Sequence, residues 1–209
     1  MSENQAEQPQ LPLFDSEKVL VIYVLGGPGV GKGTHCKRLA ADFNFAYFSV
    51  GDLLRAEQNR PGTTQREVID RCMLEGKIVP AEIAVTLMKR RMIKEASKGK
   101  KMFLIDGFPR NMEQVHLFEK EVYKNGRMLF FECSPDVMLK RVLNRGKTSQ
   151  RIDDNEEAFW KRWNGYLDST VAVLNFFQER KQVVTINCEG PLDAGYPQVK
   201  HAAEVSIRL

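Results

Sequence analysis

Residues 19–34, VLVIYVLGGPGVGKGT, constrain this chain more than any other stretch. The first half, Val19 to Leu25, is apolar and rich in β-branched residues, the composition of a strand buried on both faces. The second half runs Gly26-Gly27-Pro28-Gly29-Val30-Gly31-Lys32-Gly33-Thr34, with the glycine, four-residue gap and Gly-Lys spacing of a phosphate-cradling loop. A polyphosphate is wrapped by backbone N–H groups, so side chains must be absent and φ unrestricted. The lysine then reaches the β- and γ-phosphates, and the helix that follows turns its positive end toward them. A hydroxyl residue ordinarily follows the lysine; here Gly33 stands in that place and the hydroxyl comes one residue later, at Thr34. The competing account is a glycine-rich turn with a surface lysine, and the strand–loop–helix setting weighs against it.

Downstream, short apolar runs alternate with segments of helical period. Strands are expected at 45–49, 102–106, 127–132 and 183–187, and helices at 32–42, 50–57, 63–75, 81–96, 111–124, 135–145, from Asp154 onward and 197–207. Five such strands joined by helices imply an α/β fold, a parallel sheet covered on both faces, with ligands at the carboxyl ends of the strands. Phe159, Trp163, Tyr166, Leu167 and Leu174 recur at helical spacing and read as core. Residues 1–17 are polar, Gln-rich and broken by proline, and are expected to form a disordered leader to a domain spanning 18–209.

Bulk properties exclude several classes. A formal charge of +4 is too mild to point to nucleic acid. Cys36, Cys72, Cys133 and Cys188 form no C-x-x-C pair and read as reduced residues rather than a disulfide set or zinc site. No apolar run has the length of a membrane span, and no secretory or mitochondrial targeting pattern is present, so a cytoplasmic location, extending to the nucleus, is expected.

Candidate chemistry gathers where the strands end. Asp106 closes the run Met102-Phe103-Leu104-Ile105, and a carboxylate there suits Mg2+, directly or through water; a helix cap or ion pair is the alternative. Arg110 follows the backbone-fixing Pro109. The polar stretch 145–154, RGKTSQRIDD, reads either as a solvated charged loop or as a mobile lid whose arginines close on a phosphoryl group.

The segments GGPGVGKGT, SVGDLLRAE, EGKIVP, FLIDGFPRN and RGKTSQRIDDN, in this order, resemble the nucleoside monophosphate kinase (adenylate kinase) family over residues 18–207, and within it the UMP/CMP (uridylate) kinase branch. The resemblance implies a P-loop kinase fold with a monophosphate-binding flap at 49–79 and a short lid at 145–155. It implies ATP contacts from Gly29, Val30, Gly31, Lys32, Gly33, Thr34, Arg145 and Gly190. Monophosphate contacts would come from Arg55, Lys77, Ile78, Val79, Gly107, Phe108, Pro109, Arg110, Asn111 and Gln114, with Arg151 and Arg162 from the lid. Lys32, Arg110, Arg151 and Arg162 would carry catalysis, with Mg2+ held through water by Asp106 and with Thr34 nearby. The implied substrates are ATP with UMP or CMP, and AMP or dCMP as further acceptors, for a monomer in pyrimidine nucleotide metabolism with no nucleic-acid or membrane partner.

Several positions depart from the family pattern: Val30 in the loop, Val50 after Ser49, and Gln150 and Ile152 in the lid. Gln114 resembles adenylate kinases, whereas Phe108 and Asn111 favour the pyrimidine branch, and Val50 is expected to line the same pocket. An adenylate kinase acting on AMP is therefore the alternative. An ATP-dependent switch acting on a protein is a third reading, opposed by the joint presence of flap and lid motifs.

Overall fold

The computed structural model describes residues 11–149 and 153–208. Its strands are β1 (Leu20–Gly26), β2 (Ala46–Ser49), β3 (Met102–Asp106), β4 (Arg127–Glu132) and β5 (Val183–Asn187), all parallel in the order β2-β3-β1-β4-β5. Parallel strands need crossovers. These contain α1 (Lys32–Phe43), α2 (Val50–Gln58), α3 (Arg66–Glu75), α4 (Ala81–Ala96), α5 (Met112–Glu121), α6 (Pro135–Gly146) and α7 (Glu156–Glu179), and α8 (Leu192–Arg208) follows β5.

The strand period of two divides the core. Val21, Tyr23 and Leu25 of β1 face one layer, with Val85, Met88 and Phe118 from α4 and α5. Ile22 and Val24 face the other, with Leu39 of α1, Val142 of α6 and Val199 of α8. Because β1 is central in the sheet and helices cover it on both sides, both of its faces are buried, which is why its sequence is continuously apolar rather than alternating. The register sets Val24 opposite Asp106, and Asp106 opposite Ser49, so the ends of three strands and the phosphate loop meet on one rim.

Five sequence expectations are corrected. Residues 13 and 14, placed in the leader, are docked: Leu13 and Phe14 N–H groups donate to Glu121 and Val122 carbonyls at 3.2 and 2.9 Å, and the Phe14 ring lies 5.8 Å from Phe103. The last helix begins at Leu192, with Pro197 inside it; Gly195 N–H closes the first turn on the Pro191 carbonyl at 3.1 Å, so the missing proline donor falls after the helix has nucleated. Asn155, not Asp154, caps α7, accepting from Ala158 N–H at 2.9 Å, because Asp154 is engaged elsewhere. The third helix starts at Arg66 rather than at 63, since Thr63 gives its hydroxyl to Glu57 at 2.6 Å. On α7, Phe159 is fully buried, but Leu167 is exposed, together with Trp160 and Val171. All four cysteines are unpaired. Among the described residues, no helix is long and apolar enough to cross a membrane.

Candidate active site

The phosphate loop leaves β1 at its carboxyl end and opens α1. Gly29 and Gly31 have φ of 81° and 107°, a region costly for residues with a Cβ. Space forbids one too: a Cβ on Gly31 would lie 2.5 Å from the Leu192 side chain, and one on Gly29 2.5 Å from the Met138 carbonyl. Val30 is fully buried in the α1/α6/α8 layer, so the bulky residue in the loop is a core anchor. Lys32 folds back, its Nζ donating to the Gly26 and Gly27 carbonyls at 2.7 and 2.9 Å. Burial draws its pKa down to about 8, with the Asp106 charge opposing that and those of Arg110 and Arg162 adding to it.

Beside the lysine, and beside one another, stand groups from several other elements. Asp106, buried at the end of β3, accepts from the Tyr47 hydroxyl at 3.3 Å. Burial pushes its carboxyl pKa up, while the Lys32 and Arg110 charges pull it down. Arg110 is exposed and donates from Nε to the Gly107 carbonyl at 3.0 Å. Its neighbours in charge are Asp106, Arg162 and Arg55. Arg55, on α2, pairs with Asp52. Arg162, on α7, donates to the Asp153 carboxylate at 2.6 Å and the Asp153 carbonyl at 2.9 Å. Lys32 and Arg110 thus flank one buried carboxylate, Arg162 neighbours both of these cations, and Arg55 neighbours Arg110. Such an array holds polyanions and stabilises charge on a transferring phosphoryl group.

A sequence profile described as Adenylate kinase matches residues 24–182. The chain belongs to the adenylate kinase family. A protein named Uridylate kinase from Saccharomyces cerevisiae is 43% identical over 94% of this chain and 96% of its own length. A UMP-CMP kinase from Lentinula edodes is 45% identical over 90% of this chain and 87% of its own. An Adenylate kinase 1 from Schistosoma mansoni is 42% identical over 88% and 92%, respectively.

In this family member, several of the expected site residues also have partners within the chain. The Phe108 side chain is fully buried against Tyr23 and Phe118. Val79 is buried as well, and Val50 lies in the same core layer. Asn111 caps α5, accepting from Gln114 N–H at 2.9 Å. Gln114 is buried; its Oε1 accepts from Arg110 N–H at 2.8 Å, and its Nε2 donates to the Val79 carbonyl at 3.4 Å. Pro109 follows a cis peptide, and Gly107 N–H donates to Val24 at 2.9 Å, carrying the Arg110 loop onto β1. Lys77 is exposed and pairs with Glu75 at 2.7 Å; Ile78 beside it is half-buried.

At the lid, Arg145 forms a two-point pair with Asp154 at 2.8 and 2.6 Å, and Ser149 adds a bond at 2.6 Å. Burial alone would raise the Asp154 pKa, but these bonds outweigh it and hold the carboxyl below its ordinary value. Arg145 therefore ties the end of α6 to the segment that leads into α7. Arg151, Gln150 and Ile152 lie outside the described residues. Thr34 is exposed on the first turn of α1.

Two residues escape the sequence reading. Arg141 donates to the carbonyls of Val30 at 3.2 Å, Cys188 at 2.9 Å and Gly190 at 2.6 Å, tying the phosphate loop to the loop after β5. Its sole signal is a position one helical turn before Arg145. Tyr47 has none, since an aromatic in a short strand reads as packing.

Proposed function

We propose that this chain transfers the γ-phosphoryl group of ATP to a pyrimidine nucleoside monophosphate, UMP or CMP, yielding ADP and the nucleoside diphosphate. The observation that carries this reading is a run of neighbouring cations at the carboxyl ends of the strands: Lys32 and Arg110 beside Asp106, Arg162 beside both cations, and Arg55 beside Arg110. Two polyanions have to be brought in line there, and the site supplies positive charge from separate elements to do it. The acceptor is a phosphate monoester with a second pKa of about 6, mostly ionised at neutral pH, so no general base is required. That agrees with the placement of His35, which is buried between Phe131 and Tyr196 and turned away from solvent.

Mg2+ fits the donor set in one way. Among the described residues, no group of three or more His, Cys, Asp or Glu side chains could cage a metal. Beside the phosphate-loop lysine stands the buried carboxylate of Asp106, and the hydroxyl of Thr34 lies on the first turn of α1. The ion would therefore arrive with the nucleotide phosphates, and Asp106 would hold its water shell. When bound, Mg2+ neutralises phosphate charge; the protein's part is to place Asp106, Lys32 and the arginines around it.

The relatives named uridylate kinase and UMP-CMP kinase favour pyrimidine acceptors. AMP is the second reading, favoured by Gln114 and by the relative named Adenylate kinase 1. We read the enzyme as an Mg2+-dependent monomer of the cytoplasm and nucleus, serving pyrimidine nucleotide metabolism without a nucleic-acid partner. Measuring kcat/KM for UMP, CMP, dCMP and AMP with ATP as donor tests the acceptor. A clear preference for AMP would replace the pyrimidine reading, and ATP turnover independent of any monophosphate would replace both.

A further inference from the structure

The phosphate-loop pattern places a hydroxyl directly after the lysine, and this chain has Gly33 there. The structure shows what occupies the neighbouring space. A Cβ built on Gly33 would lie 3.7 Å from the Tyr47 hydroxyl and 3.8 Å from Asp106 Oδ2, in ordinary contact with both. Tyr47 reaches this point from β2, in the adjoining strand position to Phe48 and Ser49, and donates to Asp106 Oδ2 at 3.3 Å across 59 residues of sequence. Its ring is half-buried against the α1/α6/α8 layer, so the hydroxyl arrives on a stiff, packed arm. A phenol carries its proton at neutral pH, so the hydroxyl is available as a donor.

We propose that Tyr47 is a positioning residue for Asp106: its hydroxyl takes the place of the one missing at Gly33, engages Oδ2 and fixes the carboxylate so that Oδ1 faces the water shell of the phosphate-borne metal. This rests on the metal reading of Asp106 given above. A carboxylate at a strand end turns freely about its last bond unless one oxygen is held. Partners of this kind orient groups around a metal, and their removal costs about 10–100-fold in metal affinity or activity.

The test is calorimetric titration of ATP in Mg2+ and of ATP in chelator, on the full chain carrying Tyr47→Phe, Asp106→Asn or both. Tyr47→Phe is expected to weaken Mg·ATP binding about ten-fold and to leave metal-free ATP unaffected. In the Asp106→Asn background, the tyrosine change is expected to add nothing. In turnover assays, the Mg2+ midpoint should rise by a similar factor with the monophosphate KM unchanged, and Gly33→Ser combined with Tyr47→Phe should recover much of the loss. Unchanged Mg·ATP binding in Tyr47→Phe, an equal loss for metal-free ATP, or a full further loss on Asp106→Asn would overturn the proposal. If Asp106→Asn itself left the ratio of the two affinities unchanged, the metal reading would fall and Tyr47 with it. Absence of monophosphate phosphorylation by the wild-type chain would instead strike the acceptor assignment, because the binding experiment needs no acceptor.

Discussion

Arg141 Nη2 donates to the Gly190 carbonyl at 2.6 Å while Nη1 of the same guanidinium donates to Val30 at 3.2 Å. One side chain on α6 therefore clamps the phosphate loop to the loop after β5, which the family resemblance assigns to ATP. The planar fork suits this because its donors diverge at fixed angles toward separate carbonyls. A lysine offers one point in place of several. Arg141→Lys is expected to raise the KM for ATP about ten-fold and to lower stability by about 1–3 kcal/mol, since carbonyls bonded to a charged donor lose it. The monophosphate KM should stay as it was; steady-state kinetics and a denaturant melt check both statements.

Gln114 spans Arg110 N–H and the Val79 carbonyl, at 2.8 and 3.4 Å, and so joins the loop after β3 to the end of the flap. Asparagine is one methylene shorter and cannot hold both ends. Gln114→Asn should raise the KM for every monophosphate several-fold through Arg110, and should shift preference toward CMP over AMP. An unchanged CMP/AMP ratio would show that the side chain supports the backbone without reading the base.

Lys32 gives a pH dependence with a definite sign. Its pKa in the free protein is drawn down to about 8, so the ammonium is lost as pH rises through that value. The kcat/KM for ATP, which reports the free enzyme, should fall above pH 8, approaching ten-fold per unit. A bound polyphosphate favours the charged form, so kcat should decline at higher pH than kcat/KM. For stability the sign is opposite: the unfolded chain binds more protons between about 8 and 10.5, so the cost of burying the charge is relieved as pH rises across that window.

Glu57 anchors the flap. It is buried and accepts from Arg60 at 2.9 and 2.7 Å and from Thr63 at 2.6 Å; the Arg60 and Thr63 hydrogen bonds hold its pKa at about 2. A folded pKa below the unfolded one means stability present above about 4.5 and lost as pH falls toward 2. Glu57→Gln should lower stability by about 1–2 kcal/mol at neutral pH and flatten the acid limb of an unfolding titration. Hydrogen exchange in α2 and α3 should rise first.

Arg151 carries the sharpest catalytic expectation from sequence. Arg151→Ala should cut kcat by about 10³-fold or more, as loss of an arginine acting on the transferring phosphoryl group does, with a smaller effect on ATP affinity. Near-normal turnover would remove it from the catalytic set and leave Arg162, already near Lys32 and Arg110, as the lid's contribution.

What the sequence determined by itself was everything governed by local backbone demands. The buried strand, the glycine loop that opens a helix, the Ser49 cap, the Gly76 stop and the alternation that requires a parallel sheet are legible because each depends on neighbours within a turn or a strand. Lys32, Asp106 and Arg110 stand out in the sequence because they follow the glycine loop or close and follow a buried strand, whereas Arg162 is a candidate through the family resemblance. The tertiary structure decided which way side chains turn at those ends. Phe108 and Val50 sit beside the site in sequence yet point into the core, because the period of the local backbone and the apolar layer beneath it outweigh proximity to a ligand. It also decided which distant residues complete the site. Arg141 meets Gly190 across 49 residues and Tyr47 meets Asp106 across 59, and contacts at that separation exist only after the sheet has set its strand order.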